Sequence, residues 1–577
     1  MKNYGIMLRT LIFLLVPVFF MLAGFLSVSA NAMDLLSLAG AVKNLQGKGV
    51  KEVELEVLVN GRQVKPVGKE AAISTGSQGS FLAEFHFPAG TLPAARVEVT
   101  GHKPSWRGLA PTPVKVLEAG ADQAGHRLFQ AQAQFTMTRQ ITPAFWIATA
   151  ILLLVYVIIA SEFMHRTLAA FLGAALVMFI SYTAGTFDKG YFILSFEDAM
   201  RAIDLNVIFL LMGMMIIVGV LKKTGLFQWL AYKSYALARG NVFVVAGILM
   251  VVTAVASALL DNVTTMLLMI PVTIEIAVTL KVNPMALLIP EVFASNIGGT
   301  ATLIGDPPNI LIGSYAKLSF VDFLGNLTLI VAICMAVTLV YYLFWYKKAY
   351  QESAVRDIER TIAYLKEEYR ITNKKLLAMA LCLLGFTILL FVIHGVLHME
   401  PSIAALTGAM VLLAVTRTDI VEMLEHEVEW PTLIFFVALF IVIAGAEETG
   451  LIQMIAEWVK NVSGGSLVVA IVMVLWVSAI ASAFIDNIPF TATMLPIIAF
   501  LNQTIPGAES GVLWWSLALG ACFGGNGTLI GASANVVTVG LAEKAGCHIS
   551  FLGYMKACFL PMLITVAISM VYLLIAY

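Results

Sequence analysis

Ser295-Asn296-Ile297-Gly298-Gly299-Thr300-Ala301-Thr302-Leu303-Ile304-Gly305-Asp306-Pro307-Pro308-Asn309 is the stretch that decides the fold. It is polar, glycine-paired and proline-bearing, yet it lies deep within an apolar region. Glycine pairs and prolines interrupt helices and free backbone N–H and carbonyl groups. At membrane depth such a break persists only where it lines a cavity or is buried against protein. The pattern returns once. Gly298-Gly299 recurs as Gly524-Gly525, Thr302-Leu303-Ile304-Gly305 as Thr528-Leu529-Ile530-Gly531, and Asn309 as Asn535, all at one constant spacing. Working outward, Asp261-Asn262 recurs as Asp486-Asn487, Pro271 as Pro496, and Thr224-Gly225-Leu226 as Thr449-Gly450-Leu451, at a spacing shorter by a single position. One inserted residue over so long a register marks an internal repeat, the sequence sign of a repeat-built transporter fold.

Composition agrees. Of 577 residues only 12% are charged and 60% are hydrophobic, whereas an ordinary soluble chain carries about 25% charge. So much apolar surface excludes a cytosolic enzyme and a disordered regulator. With 35 basic and 36 acidic residues there is no basic face for nucleic acid. Five cysteines (Cys334, Cys382, Cys522, Cys547, Cys558) without CxxC spacing argue against a disulfide framework or metal site. They read as small buried apolar residues.

Residues 1–32 read as a secretory signal, with Lys2 and Arg9 before an apolar run and Ala30-Asn31-Ala32 as a small-x-small cleavage site. The run is also long enough for an uncleaved anchor. Either way the next segment is exported. Residues 33–139 alternate polar and apolar around Val53–Val57, Phe81–Phe87, Arg96–Val99 and Leu128–Met137, which predicts a small extracytoplasmic β-sandwich. Its histidines, His86, His102 and His126, stand apart and suggest no metal site. From 140 onward the pattern is that of an all-α polytopic membrane protein. One transmembrane repeat covers 140–346, a charged cytoplasmic linker 347–375, and a second repeat 376–577. The predicted spans are 143–160, 168–185, 205–221, 241–260, 263–280, 284–316 in two pieces and 323–345. They continue as 376–397, 401–416, 431–446, 466–485, 488–501, 511–541 in two pieces and 557–575.

Charge sets orientation. Lys222–Gly240 carries Lys222, Lys223, Lys233 and Arg239 and no acid, while its repeat partner Glu447–Gly465 carries Glu447, Glu448, Glu457 and only Lys460. By the positive-inside rule the first is cytoplasmic and the second is not. The repeat is therefore predicted to be inverted, as in many secondary transporters. One loop fits poorly: 417–429 should be cytoplasmic but holds Arg417 and five acids.

Polar residues within hydrocarbon are functional candidates by default. They fall into four clusters: Asp261, Asn262, Thr264 and Thr265; Ser295, Asn296, Gly298, Gly299, Thr302, Asp306 and Asn309; Asp486, Asn487 and Thr491; and Gly524, Gly525, Asn526, Thr528, Ser533 and Asn535. On spacing alone Asp261 and Asp486 also read as helix N-caps, but the duplication of the pair with Thr on the following turn favours site residues; the glycines also read as close helix packing. Packing does not explain Asp306, Asn309 or Asn526. No Lys, Arg or His lies in Asn461–Glu543, and only Lys281 between Asn241 and Ala316. The site is thus expected to bring acids (Asp261, Asp306, Asp486, with Glu275 and Glu291 as further candidates) and no cationic side chain.

DNVTT (261–265), SNIGGTATLIGDPPN (295–309), IDNIPFTATMLP (485–496) and GGNGTLIGASANVV (524–537) resemble the motifs of a known ion-transporter superfamily. It comprises arsenite pumps, sodium–proton antiporters of the NhaD type and citrate/dicarboxylate carriers, and the last two motifs resemble its P protein branch. The resemblance covers about 143–577. It implies two re-entrant hairpins tipped by Asp261-Asn262 and Asp486-Asn487, two helices broken near 295–309 and 524–535, and a homodimer. Dicarboxylate carriers of this superfamily have Ser-Asn-Thr at the tips. Asp261 and Asp486 stand in the serine position, which speaks against a carboxylate substrate.

Hard oxygen donors suit Na⁺ or H⁺, with Asp261, Asn262, Asp486 and Asn487 as the predicted Na⁺ ligands. Adjacent buried carboxylates cannot both ionise readily, so a proton is retained. Na⁺/H⁺ exchange is the leading expectation. A carrier of arsenite or of an organic anion such as citrate, coupled to H⁺ or Na⁺, is the alternative, and a passive anion channel a further one. No cofactor beyond the coupling ion is expected. No Walker motif, nucleophile elbow or HExxH is present, so no enzyme is expected. The predicted location is a bacterial inner membrane, with lipid and a small ion or anion as partners.

Overall fold

The structure, a computed structural model, describes residues 33–577 apart from 45–46, 48, 68–72, 77, 104, 123–125 and 353–357. The signal or anchor read over 1–32 lies outside the described residues. The chain divides into two compact units, with the boundary between Ile141 and Thr142.

The first unit is β-rich. Its strands are β1 (Met33–Lys43), β2 (Glu54–Val59), β3 (Arg62–Val64), β4 (Ile73–Ser74), β5 (Ser80–Pro88), β6 (Val97–His102), β7 (Leu109–Pro113), β8 (Val116–Ala121) and β9 (Arg127–Thr136). They form two sheets, β5-β1-β9-β8 and β3-β2-β6-β7, with β4 paired to β2. β1 runs parallel to β9 and antiparallel to β5. Strict alternation on β5 turns Phe81, Ala83, Phe85 and Phe87 inward, onto a core shared by both sheets. Asp34 on β1 is fully buried. It accepts from Leu92 N at 3.0 Å and from Arg127 Nε at 3.1 Å and Nη2 at 2.9 Å. Burial pushes its carboxyl up, but the Leu92 and Gly90 N–H groups and the guanidinium outweigh it and hold the carboxyl below its ordinary range. Its folded value being below its unfolded one, its stabilisation is present at neutral pH and lost as the pH falls through the folded value. Asp34→Ala is expected to cost this unit about 2 kcal/mol, read as a lowered thermal midpoint at pH 7 whose gap to wild type closes on acidification below about pH 4.

The second unit is helical. Helices α1 (Pro143–Ala160) and α2 (Arg166–Tyr182) lead into α3 (Leu205–Lys222), α4 (Leu226–Ala238), α5 (Val242–Leu259), α6 (Asn262–Leu280), α7 (Met285–Gly299), α8 (Pro307–Ala316) and α9 (Phe320–Trp345). Then α10 (Lys374–Ile393) and α11 (Pro401–Thr416) lead into α12 (Trp430–Thr449), α13 (Leu451–Val462), α14 (Leu467–Phe484), α15 (Asn487–Thr504), α16 (Val512–Gly524), α17 (Ser533–Lys544) and α18 (Phe551–Ala576). Shorter helical segments, among them Ile358–Glu368, lie between these. The starts of α12 to α15 follow those of α3 to α6 at the same spacing that separates Asp261 from Asp486. Among the described residues ten helices are long and apolar enough to cross a membrane, and α7, α11 and α16 are shorter apolar helices. The chain is an integral membrane protein.

Packing crosses between the halves. α3 lies on α11 and α12 on α2; α6 lies on α17 and α15 on α8. Within each half the broken helix lies against the hairpin, α7 on α5 and α16 on α14. Glycine permits this approach: a Cβ on Gly298 would stand 2.1 Å from Ala254 O, and one on Gly524 2.4 Å from Ala479 O. Small residues let helices close where lipid supplies no hydrophobic drive.

The acidic loop 417–429 is explained by its partners. Glu427 meets Lys222 at 3.0 Å and Glu422 meets Lys223 at 2.9 Å, and Thr372 N donates to Thr224 O at 3.0 Å. Two of its five acids, Glu422 and Glu427, are thus counter-ions to the basic end of α3, on the same face as that end. Three of the five cysteines are buried as read, while Cys382 is exposed and Cys547 partly so.

Candidate functional site

Each hairpin turns in two residues, and the turn is made by helix capping. Asp261 caps α6, accepting from Thr264 N at 2.7 Å. Asp486 caps α15, accepting from Ile488 N at 3.0 Å. Capping starts the helix in one residue, and this delivers Asn262 and Asn487 into the interior, each 2% exposed. Opposite them the breaks after α7 and α16 are tied shut by asparagines. Asn309 Nδ2 donates to Thr300 O and Thr302 O at 3.0 and 2.9 Å, and Asn535 Nδ2 to Gly525 O and Thr528 O at 2.8 and 2.9 Å. The Thr302 and Thr528 hydroxyls bind the hairpin carbonyls of Ala258 and Ala483. These threonines pin the breaks to the hairpins instead of facing the centre. Ser295 likewise donates to Asn262 O at 3.4 Å.

The centre is a lattice of asparagines drawn from both halves. Asn296 Nδ2 donates to Asn526 Oδ1 at 3.0 Å and Asn535 Oδ1 at 2.9 Å. Asn262 Nδ2 donates to Asn296 Oδ1 at 3.1 Å and Asp306 Oδ1 at 3.2 Å. Amide orientation follows from the backbone outward. The two carbonyls held by Asn535 Nδ2 fix its oxygen toward Asn296. That fixes the Asn296 oxygen toward Asn262, leaving Asn262 Oδ1 and Asn526 Nδ2 free of protein partners. Asn262 Oδ1, Thr265 Oγ1 and Asp306 Oδ2 in the first half make no hydrogen bond of ordinary geometry, and neither do Asn487 Nδ2, Thr491 Oγ1 and Asn526 Nδ2 in the second. Buried polar atoms are seldom left so. Of the sixteen such atoms among the described residues, these six lie on the hairpin tips, one turn beyond them or in the breaks, where an ion or polar ligand could take them up.

One expectation is overturned: the site does contain a cationic side chain. Arg166, at the start of α2, places Nη1 3.0 Å from Asp486 Oδ2 and also binds Ser533. Ser533 donates to Asp486 at 3.2 Å, and the guanidinium lies over Phe435, 5.2 Å from the ring centroid. An arginine two residues before an apolar run reads as a flank at the membrane surface, which is why sequence reasoning missed it. Two candidate acids fall outside the lattice. Glu291 is fully buried and takes its hydrogen bond from Thr253 at 2.9 Å. Glu275 lies beside Tyr364 and Glu368 of the segment after α9.

Two clefts lie in the helical unit. One, of about 560 Å³, is lined by Arg166, Val263, Leu267, Glu429, Asp486 and Ser533 among others. The other, of about 460 Å³, is lined by Asp204, Tyr315, Glu447, Ala492 and Leu495 among others. Asp204 caps the start of α3, while Glu429 is two residues from Glu427, which binds Lys222 at its end. Eighteen residues separate these ends, about 27 Å at 1.5 Å per residue.

Membrane-length helices around a buried polar lattice have the build of a membrane transporter. The family model described as Citrate transporter matches residues 154–520. The chain belongs to this family. An uncharacterized transporter of Mycobacterium bovis is 41% identical over 433 residues, 75% of this chain and 98% of that protein. The 46 kDa membrane protein of Mycobacterium leprae is 40% identical over 438 residues, 75% and 98% of the two chains. The human P protein is 37% identical over 506 residues, 75% of this chain and 60% of that protein. Among solved structures, a 3-chlorocatechol 1,2-dioxygenase from Rhodococcus opacus overlaps 18% of this chain and 61% of its own, at TM-score 0.14 and 15% identity. That overlap carries no argument.

Proposed function

We propose that the protein is a secondary active transporter that exchanges Na⁺ for H⁺ by alternating access around the asparagine lattice. The carrying observation is the trio of buried oxygens, Asn262 Oδ1, Thr265 Oγ1 and Asp306 Oδ2, that have no donor at ordinary hydrogen-bond geometry. Carboxylate, amide and hydroxyl oxygens are the ligand set of a hard cation. A proton taken up by the carboxyl removes its charge, so H⁺ and Na⁺ compete for one place. Access from both ends is supported by the inverted reading of the repeat. Leu267 and Glu429 line one cleft; their counterparts in the repeat register, Ala492 and Asp204, line the other. In this reading the basic end of α3 and the linker 347–375 face the cytoplasm, and residues 33–139 lie outside.

Carriage of a small organic anion coupled to Na⁺ or H⁺ is the second reading. Arg166 favours it, with the unpartnered N–H groups of Asn487 and Asn526 and the name of the family. Flux into proteoliposomes with an imposed pH gradient separates the two. Exchange predicts ²²Na⁺ uptake driven by the gradient alone. The second reading predicts citrate uptake that stops without Na⁺ or the gradient. Fluxes of Na⁺, chloride, arsenite and citrate that all ignore pH and Na⁺ sink both.

A further inference from the structure

The two aspartates are duplicates in sequence but not in surroundings. Asp261 and Asp486 hold the same place in the two repeats and cap equivalent helices. Asp486 has two side-chain partners, Arg166 and Ser533. Asp261 has no ion pair among the described residues. The repeat shows why. TLIGDPPN (302–309) aligns with TLIGASAN (528–535), so Pro307 stands where Ser533 stands. The counterpart of Arg166 follows from a shared contact. Thr167 Oγ1 at the start of α2 donates to Pro431 O at 2.7 Å. Ser402 N at the start of α11 donates to Asn206 Oδ1 at 2.9 Å. Asn206 and Pro431 occupy matching positions at the heads of α3 and α12, in the register that pairs Asp261 with Asp486. Thr167 and Ser402 therefore correspond, and Pro401 stands where Arg166 stands. Both partners of Asp486 are replaced by prolines, which have no side-chain donor. Conversely Asp306 is replaced by Ala532 in the second half. The first hairpin tip and break thus bring two acids and no base, with unpartnered oxygens, and Asp306 also lies within electrostatic reach of Asp486. The second holds one acid already neutralised by a guanidinium, with unpartnered N–H groups.

Resting on the Na⁺/H⁺ reading above, we infer that Arg166 is a tethered cation that occupies the second of two duplicated carboxylate sites, so that each chain binds one Na⁺ instead of two. The bound ion goes to the half built from Asp261, Asn262, Thr265 and Asp306. Arg166 takes the counter-charge role for Asp486 permanently and makes the two halves electrically unequal.

The test is equilibrium binding of ²²Na⁺ to the purified full-length protein in detergent. Wild type is expected to bind one ion per chain with a hyperbolic isotherm. Arg166→Gln exposes Asp486 and is expected to bind two, with a sigmoidal or biphasic isotherm. Arg166→Lys and the double variant Arg166→Gln/Asp486→Asn should each bind one, and they control for folding. Two ions on wild type, or one on a folded Arg166→Gln protein, would overturn the inference and leave the exchange reading standing. No ion on wild type removes the exchange reading itself. The wild-type count is decisive even if Arg166→Gln fails to fold.

Discussion

Asp306→Asn is expected to lower Na⁺ uptake into proteoliposomes at least about 100-fold while the protein remains folded and monodisperse. The change is nearly isosteric, and the amide oxygen can still accept from Asn262 Nδ2, which now meets Asp306 Oδ1 at 3.2 Å. The asparagine lattice and the pinned breaks therefore survive. What disappears is the negative charge at a fully buried position. Leaving a buried cation without its counter-charge costs about 3–5 kcal/mol, and each 1.4 kcal/mol is about tenfold in affinity. Asp261→Asn acts on the same half and is expected to lose a comparable factor. Uptake within threefold of wild type for both variants would remove the first half as the cation site.

Gly298→Val and Gly524→Val are expected to prevent accumulation of folded protein, where Gly540→Ala, whose Cβ would meet nothing within 4 Å, is expected to leave it unchanged. The close approaches of Gly298 to Ala254 O and of Gly524 to Ala479 O are to backbone, and a carbonyl oxygen cannot rotate out of the way as a flexible side chain can. Overpacking of a core side chain costs about 1–3 kcal/mol. A clash with backbone must move a whole helix, so a larger loss is expected. Moving α7 off α5 would also withdraw Asn296 from the lattice. Size-exclusion profiles and thermal midpoints in detergent read this out. Equal midpoints for Gly298→Val and Gly540→Ala would show that the approach of α7 to α5 is not required.

Much of the architecture was legible because it is periodic or duplicated. Apolar length marked the membrane helices, and alternation marked β5 and β9. The fixed offset alone matches α3–α6 to α12–α15. The reading of Asp261 and Asp486 as caps holds, and the cap is the device that turns Asn262 and Asn487 inward. Harder to see was the division of labour among polar residues of similar type. Thr302 and Thr528 hold the breaks to the hairpins, whereas Thr265 and Thr491 are left without partners. The hydroxyls are chemically alike; which one finds a carbonyl depends on how helices from different parts of the chain approach.

The sequence by itself determined that this is a membrane protein with a repeated, broken-helix core, and it named the asparagines and aspartates of that core. Hydrophobic length and residue register are properties of the chain and can be read along it. Only the tertiary structure decided which charges are paired at the centre. Arg166 and Asp486 are 320 residues apart, and no local pattern links a basic residue at the head of one helix to an acid at the tip of a distant hairpin. Whether a buried charge is neutralised depends on what lies within about 4 Å of it, and that distance is set by packing between the two halves.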